Sequence, residues 1–152
     1  MKDLACLARG LLVQALREGR RVAVTLKGTS LEPLLTAGDV VILEAANPRL
    51  LRPGDLVMFD GGEGLTAHRL LRTARFGGIV WVQTAAERAQ QPDPWIRRSA
   101  IIGRAAGIRP PDPTGLRRSL PGRWECRWWA WKTQIRCLGH RAREILGRFA
   151  CG

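Results

Sequence analysis

Val22-Ala23-Val24-Thr25-Leu26-Lys27, broken by Gly28-Thr29-Ser30, is the stretch on which the reading of the fold turns. Val22, Val24 and Leu26 alternate with Ala23, Thr25 and Lys27, the period-two pattern of a half-buried strand. A glycine then turns the chain and leaves a serine on the bend. The pattern recurs downstream. Val40–Leu43, Leu56–Phe59, Leu65–Leu71, Ile79–Gln83 and Ile101–Ala105 read as further short strands. Gly38-Asp39, Arg52-Pro53-Gly54-Asp55, Asp60-Gly61-Gly62 and Gly77-Gly78 separate them as turns. Ala85–Pro94 is polar and reads as a surface loop. Short strands bounded by turn residues predict a mainly β, curled antiparallel domain.

Upstream, residues 3–18 carry Leu4, Leu7, Leu11 and Ala15 at helical spacing, with Asp3 as a start signal and Gly19 as a stop. Downstream, Pro110-Pro111-Asp112-Pro113 opens a linker, and beyond it Trp124, Trp128, Trp131, Ile135, Leu138, Ala142, Ile145 and Phe149 form one helical stripe. Gly139 interrupts that helix at a cost of about 1 kcal/mol. The organisation expected is a domain over 1–109 with its N-terminal helix, a linker over 110–122, and a basic, Trp-rich amphipathic helix within 123–152.

The chain has 152 residues and a net charge of +12, of which +7 lies from Arg109 onward, with four of the six tryptophans. That field favours anionic partners. The four cysteines show no CxxC spacing and the two histidines do not cluster, which argues against a zinc site, and no cofactor is implied. No apolar run approaches the ~20 residues of a membrane span. The expectation is a reduced, cytoplasmic protein, either free or held peripherally on the inner face of the membrane.

Ser30 and His68 are the candidates for covalent chemistry, because a serine hydroxyl attacks only when a positioned base takes its proton. Read locally, Ser30 is a helix N-cap before Leu31-Glu32-Pro33, and His68 is an ordinary strand histidine. Their order and surroundings, however, resemble the signal peptidase family over about Val22–Ile108. Gly28-Thr29-Ser30-Leu31-Glu32-Pro33 with Gly38-Asp39 is similar to the family's nucleophile box, with Leu31 in place of the usual methionine. Arg52-Pro53-Gly54-Asp55-Leu56-Val57 resembles its second Gly-Asp strand entry. Ala67-His68-Arg69-Leu70 resembles the Val-His-Arg-Val of the endoplasmic-reticulum and archaeal branch, and Ile101-Ile102-Gly103-Arg104-Ala105 its closing strand.

The resemblance implies a fold of signal peptidase/LexA type and a serine endopeptidase that needs no cofactor. Ser30 would be the nucleophile, and His68 the acid/base in place of the lysine used by bacterial-type and LexA-like members. Of the three lysines (Lys2, Lys27 and Lys132), none stands where that base belongs. Asp93, in Pro92-Asp93-Pro94, would orient His68, with Glu87 as the alternative and an ordinary turn aspartate as the plainer reading. Gly28 stands where the family often has an oxyanion-stabilising serine, leaving the Ser30 N–H, aided by the Thr29 hydroxyl, as the donor.

The implied partner is an extended precursor or leader peptide bound along a strand edge. The tail is expected to meet a membrane surface or a protein partner, with packing of its Trp stripe on the β domain as the plainer reading; for nucleic acid it lacks a recognised module. The rivals are a catalytically inactive peptide clamp of the same fold and a LexA-like regulator. The regulator is disfavoured by the missing lysine and by the lack of a helix-turn-helix ahead of the β domain.

Overall fold

The structure, a computed structural model, describes residues 2–47, 49–61, 64–109 and 128–139, with side chains from Cys6 onward. Helix α1 (Lys2–Arg17) precedes seven strands: β1 (Val22–Thr25), β2 (Val40–Ala45), β3 (Leu56–Asp60), β4 (Leu65–Phe76), β5 (Ile79–Ala85), β6 (Ile96–Arg97) and β7 (Ile101–Arg109). They form one open antiparallel sheet in the order β1-β2-β7-β3-β4-β5-β6. A second helix, α2, covers 128–139. The expected linker and most of the expected tail helix lie outside the described residues.

The centre of the sheet is covered on both faces because β3 alternates into two cores. Leu56 and Met58 join Leu16, Leu31, Leu35, Val41, Leu43, Ala105 and Ile108 on one side. Val57 and Phe59 join Leu51, Leu70, Val82 and Ile101 on the other. A strand buried on both faces reads as a continuous apolar run, and Leu56-Val57-Met58-Phe59 is such a run.

Helix α1 closes with two hydrogen bonds, Gly19 N–H to Leu16 O and Arg20 N–H to Ala15 O, at 3.0 Å each. This is the paired C-terminal arrangement in which the orphan carbonyls of the last turn are met by the chain leaving it. Its packing face differs from the expected stripe. Leu12 and Leu16 enter the core, whereas Leu7 and Leu11 are exposed. Residues 6–11 are exposed, and from among them Arg9 reaches Asp60 of β3.

Strand bounds also move. Strand β4 runs five residues past Leu71, to Phe76, where Gly77 and Gly78 (φ 56° and 77°) make the two-residue turn into β5. Positive φ at both positions matches the right-handed twist of a hairpin, which is why two glycines stand there. Strand β7 extends to Arg109, and the polar loop contains the end of β5 and is followed by the short β6.

Helix α2 lies back on the sheet rather than standing apart. Ala130 and Thr133 are buried, Trp129 stacks under the Arg69 guanidinium at 5.4 Å, and Gln134 Nε2 donates to Leu71 O at 3.4 Å. The acceptor is available because β4 bulges between Leu70 and Arg72. The buried face is thus Trp129-Ala130-Thr133-Gln134, not the Trp128-Trp131-Ile135-Leu138 stripe.

Candidate active site

The two Gly-Asp motifs are turn fasteners of the same design. Asp39 Oδ2 accepts the Thr36 N–H at 2.8 Å, and Asp55 Oδ2 accepts the Arg52 N–H at 2.8 Å. In each, the preceding glycine takes positive φ (97° at Gly38, 93° at Gly54), a conformation that costs other residues steric energy. The first turn also closes the loop that bears Ser30. Leu26 N–H donates to Asp39 O and Gly38 N–H to Leu26 O, both at 2.9 Å, so residues 27–37 leave and re-enter the sheet through one neck.

Within that loop Leu31 and Leu35 are buried, which anchors its inner side and leaves Ser30 exposed. A turn, not a helix, follows Ser30, so the N-cap reading fails. The Glu32–Pro33 peptide in this turn is cis. Ser30 opens onto a cleft of about 1080 Å³. Its walls are Arg9 and Leu12 of α1, Val24 to Gly28 along and after β1, and Met58, Asp60, Thr66 and Ala67 of the β3–β4 hairpin. Arg9 and Asp60 pair across it at 2.6 Å. At Gly28 a side chain would meet open space.

His68 follows Ala67 on β4, opposite Val57 of β3, with its ring edge-on to Phe59 at 6.1 Å. Its Nδ1 lies 2.7 Å from Asp93 Oδ2. Asp93 is held from several directions. Thr84 Oγ1 donates to the same oxygen at 2.6 Å, Gln83 Nε2 donates to Asp93 O, and Asp93 N–H donates to Thr84 O. Burial pushes the Asp93 carboxyl up, but the hydrogen bonds from His68 and Thr84 and the charge of His68 outweigh it, leaving the pKa below its ordinary value. An ionised Asp93 can only accept, so Nδ1 of His68 carries the proton. In the neutral ring Nε2 is then left with the lone pair of a base.

Because the folded pKa of Asp93 is depressed, its stabilising contribution is present above the unfolded value of about 3.9 and is lost as pH falls through the lower folded value. The stability gap between wild type and Asp93→Asn should therefore shrink between about pH 7 and pH 3. Urea unfolding at the two pH values checks this; a gap that stayed constant would mean the carboxylate charge is not what the fold uses.

Glu87 does not serve as the alternative partner of His68. Its Oε2 accepts Arg69 Nε at 2.9 Å, and Arg69 is itself buried with its second nitrogen on Gly54 O at 2.7 Å. The Arg69 guanidinium is closer to the demands of this carboxylate than an imidazole, because it offers several donors and a permanent charge. Glu87 is nonetheless tied to the site. Its N–H donates to Ser30 O at 2.8 Å, and Arg136 of α2 donates to Glu87 O at 3.4 Å.

The structure thus brings His68 and Asp93 together and puts Ser30 on a cleft that Ala67 also lines. The side-chain hydrogen bond of His68 runs to Asp93 and not to Ser30. Thr29 is exposed next to Ser30. Sequence reasoning missed Thr84, which shares the Asp93 oxygen, and the Arg69–Glu87 pair that braces the Ser30 loop. Arg69 directly after His68 was the available signal, since a buried arginine demands an acid. The chain matches no family model and no curated protein.

Proposed function

We propose that the chain is a serine endopeptidase of signal peptidase-like fold that removes leader or signal-type segments from precursor peptides. The observation that carries this reading is the His68–Asp93 pair at 2.7 Å, with Ser30 exposed on the wall of a cleft that also holds Ala67. In this mechanism His68 Nε2 takes the Ser30 hydroxyl proton as Oγ bonds to the scissile carbonyl carbon. The same imidazolium then protonates the leaving amine as the C–N bond breaks. Water, deprotonated by His68, releases the acyl group from Oγ. Asp93 holds the ring and offsets its positive charge throughout. The Ser30 N–H is the oxyanion donor in this scheme.

The cleft suits an extended peptide. β1 is the terminal strand of the sheet, so among the described residues one of its edges has no strand partner, and Val24 and Thr25 of β1, with Leu26 and Lys27 after it, line the cleft. Backbone hydrogen bonds to such an edge set register, and the cleft walls select side chains. The rival, a non-catalytic peptide clamp, is favoured by the missing Ser30–His68 hydrogen bond, although such bonds are often loose in free enzymes and tighten with substrate. Incubating the protein with short precursor peptides and weighing the products separates the two. The endopeptidase yields two fragments from one internal cut, absent with Ser30→Ala. The clamp binds peptide and leaves it intact.

A further inference from the structure

Helix α2 presents two faces of different fate. Trp129, Ala130, Thr133 and Gln134 pack on the sheet, whereas Trp128, Trp131, Ile135 and Leu138 stand 47%, 52%, 49% and 63% exposed. Their spacing of three, four and three makes one continuous stripe along the outer side of the helix. Trp128 and Trp131 stack on each other at 5.0 Å, and Lys132 Nζ sits 5.0 Å from the Trp128 ring. We propose that this outward face is a docking surface for an anionic lipid bilayer, with the two tryptophans at the headgroup level and Ile135 and Leu138 reaching the acyl boundary.

Charge complementarity selects this occupant. Lys132 lies beside Trp128 on this face, residues 128–139 contain no acid, and the whole chain carries +12. Basic side chains are drawn to an anionic surface, and indole rings favour the interface. A second copy of the chain would set Lys132 against the same group with no acid on the helix to meet it. A nucleic acid would use the charges and indoles but leave Ile135 and Leu138 in water.

A second exposed apolar patch lies at the β4–β5 turn, on the strand that α2 contacts at Arg69 and Leu71. There Phe76 is 82% and Ile79 40% exposed, beside the exposed Arg75. This surface does not depend on the peptidase reading.

The test is sedimentation of the full chain with vesicles of phosphatidylglycerol mixed with phosphatidylcholine, against phosphatidylcholine alone. Wild type should pellet with the anionic vesicles, with a blue shift in tryptophan emission, and bind the neutral ones far less. The Trp131→Ser/Leu138→Ser variant should lose about tenfold or more in affinity, because each exposed apolar side chain withdrawn from the interface forfeits its transfer energy. Phe76→Ser, on a separate element, should weaken binding as well, and it keeps the test open should the helix variant fold poorly. The proposal is overturned if wild type does not bind anionic vesicles at low salt, or if both variants bind as tightly as wild type. It is equally overturned if light scattering finds a dimer that Trp131→Ser/Leu138→Ser dissolves, or if single-stranded DNA binds more tightly than vesicles through the same residues.

Discussion

A His68→Ala variant should cleave precursor peptide about 10⁴–10⁶-fold more slowly than wild type while keeping its fold. The loss is large because nucleophile and base act as a unit: without Nε2 nothing takes the Ser30 proton. Asp93→Asn should lose less, about 10⁴-fold, since Ser30 and an imidazole remain. Its defect is one of tautomer. An Asn amide can turn its NH2 toward Nδ1, which moves the ring proton to Nε2 and removes the lone pair that faces the nucleophile. The Thr84 hydroxyl, on the same Asp93 oxygen at 2.6 Å, does not prevent this, because it can rotate to accept from that NH2. Thermal unfolding should place both variants close to wild type at neutral pH relative to these rate losses. Rates within tenfold of wild type in both would remove His68 and Asp93 from the chemistry.

The second large effect is structural. Arg69 is 2% exposed, and its partners include the Glu87 carboxylate, Gly54 O and the Trp129 ring. Arg69→Met keeps much of the volume but leaves a carboxylate that is 11% exposed without its counter-charge. Breaking one side of a buried pair costs about 3–5 kcal/mol, most of it the desolvation of the group left behind. The double variant Arg69→Met/Glu87→Gln should recover a good part of that loss, because no buried charge remains. Urea denaturation of the two single variants and the double closes the cycle. A single-variant cost below about 1 kcal/mol would place this pair with weak surface ion pairs. The single variant should also loosen the Ser30 loop, which Glu87 N–H holds through Ser30 O.

What the sequence displayed and what it concealed divide along physical lines. The turns were legible because their chemistry is local: Asp39 and Asp55 bond the N–H three residues back, and Gly77-Gly78 needs no tertiary context. The β3 core strand was legible as four consecutive apolar residues. The end of β4 was not, because Thr73-Ala74-Arg75-Phe76 is exposed and has no alternation to reveal a strand. Strand β6 is two residues long and exists through pairing with Trp81 and Val82.

Helix faces were the weakest reading. In α1, leucines at 4, 7, 11, 12 and 16 surround much of the circumference, so spacing alone could not say that Leu12 and Leu16 pack while Leu7 and Leu11 do not. In α2 the apolar stripe was legible and its burial was not. The sheet takes the other side, where Arg69 offers a charge to the Trp129 ring and Leu71 a carbonyl to Gln134. Those partners lie about sixty residues away in the chain, beyond the reach of any local pattern. The pairing of Asp93 with His68 came from resemblance, and Thr84 entered only with the structure, because a strand threonine carries no mark of the acid it will meet.

The central claim is that Ser30 is an activated nucleophile. Its most direct test is labelling of the purified chain with a fluorophosphonate serine probe, with the modified residue located by mass spectrometry in wild type, Ser30→Ala and His68→Ala. The account predicts a single adduct on Ser30 in wild type and no adduct in either variant. An unlabelled Ser30 in a protein that still binds precursor peptide, and binds it equally well as Ser30→Ala, would contradict it and leave a peptide clamp.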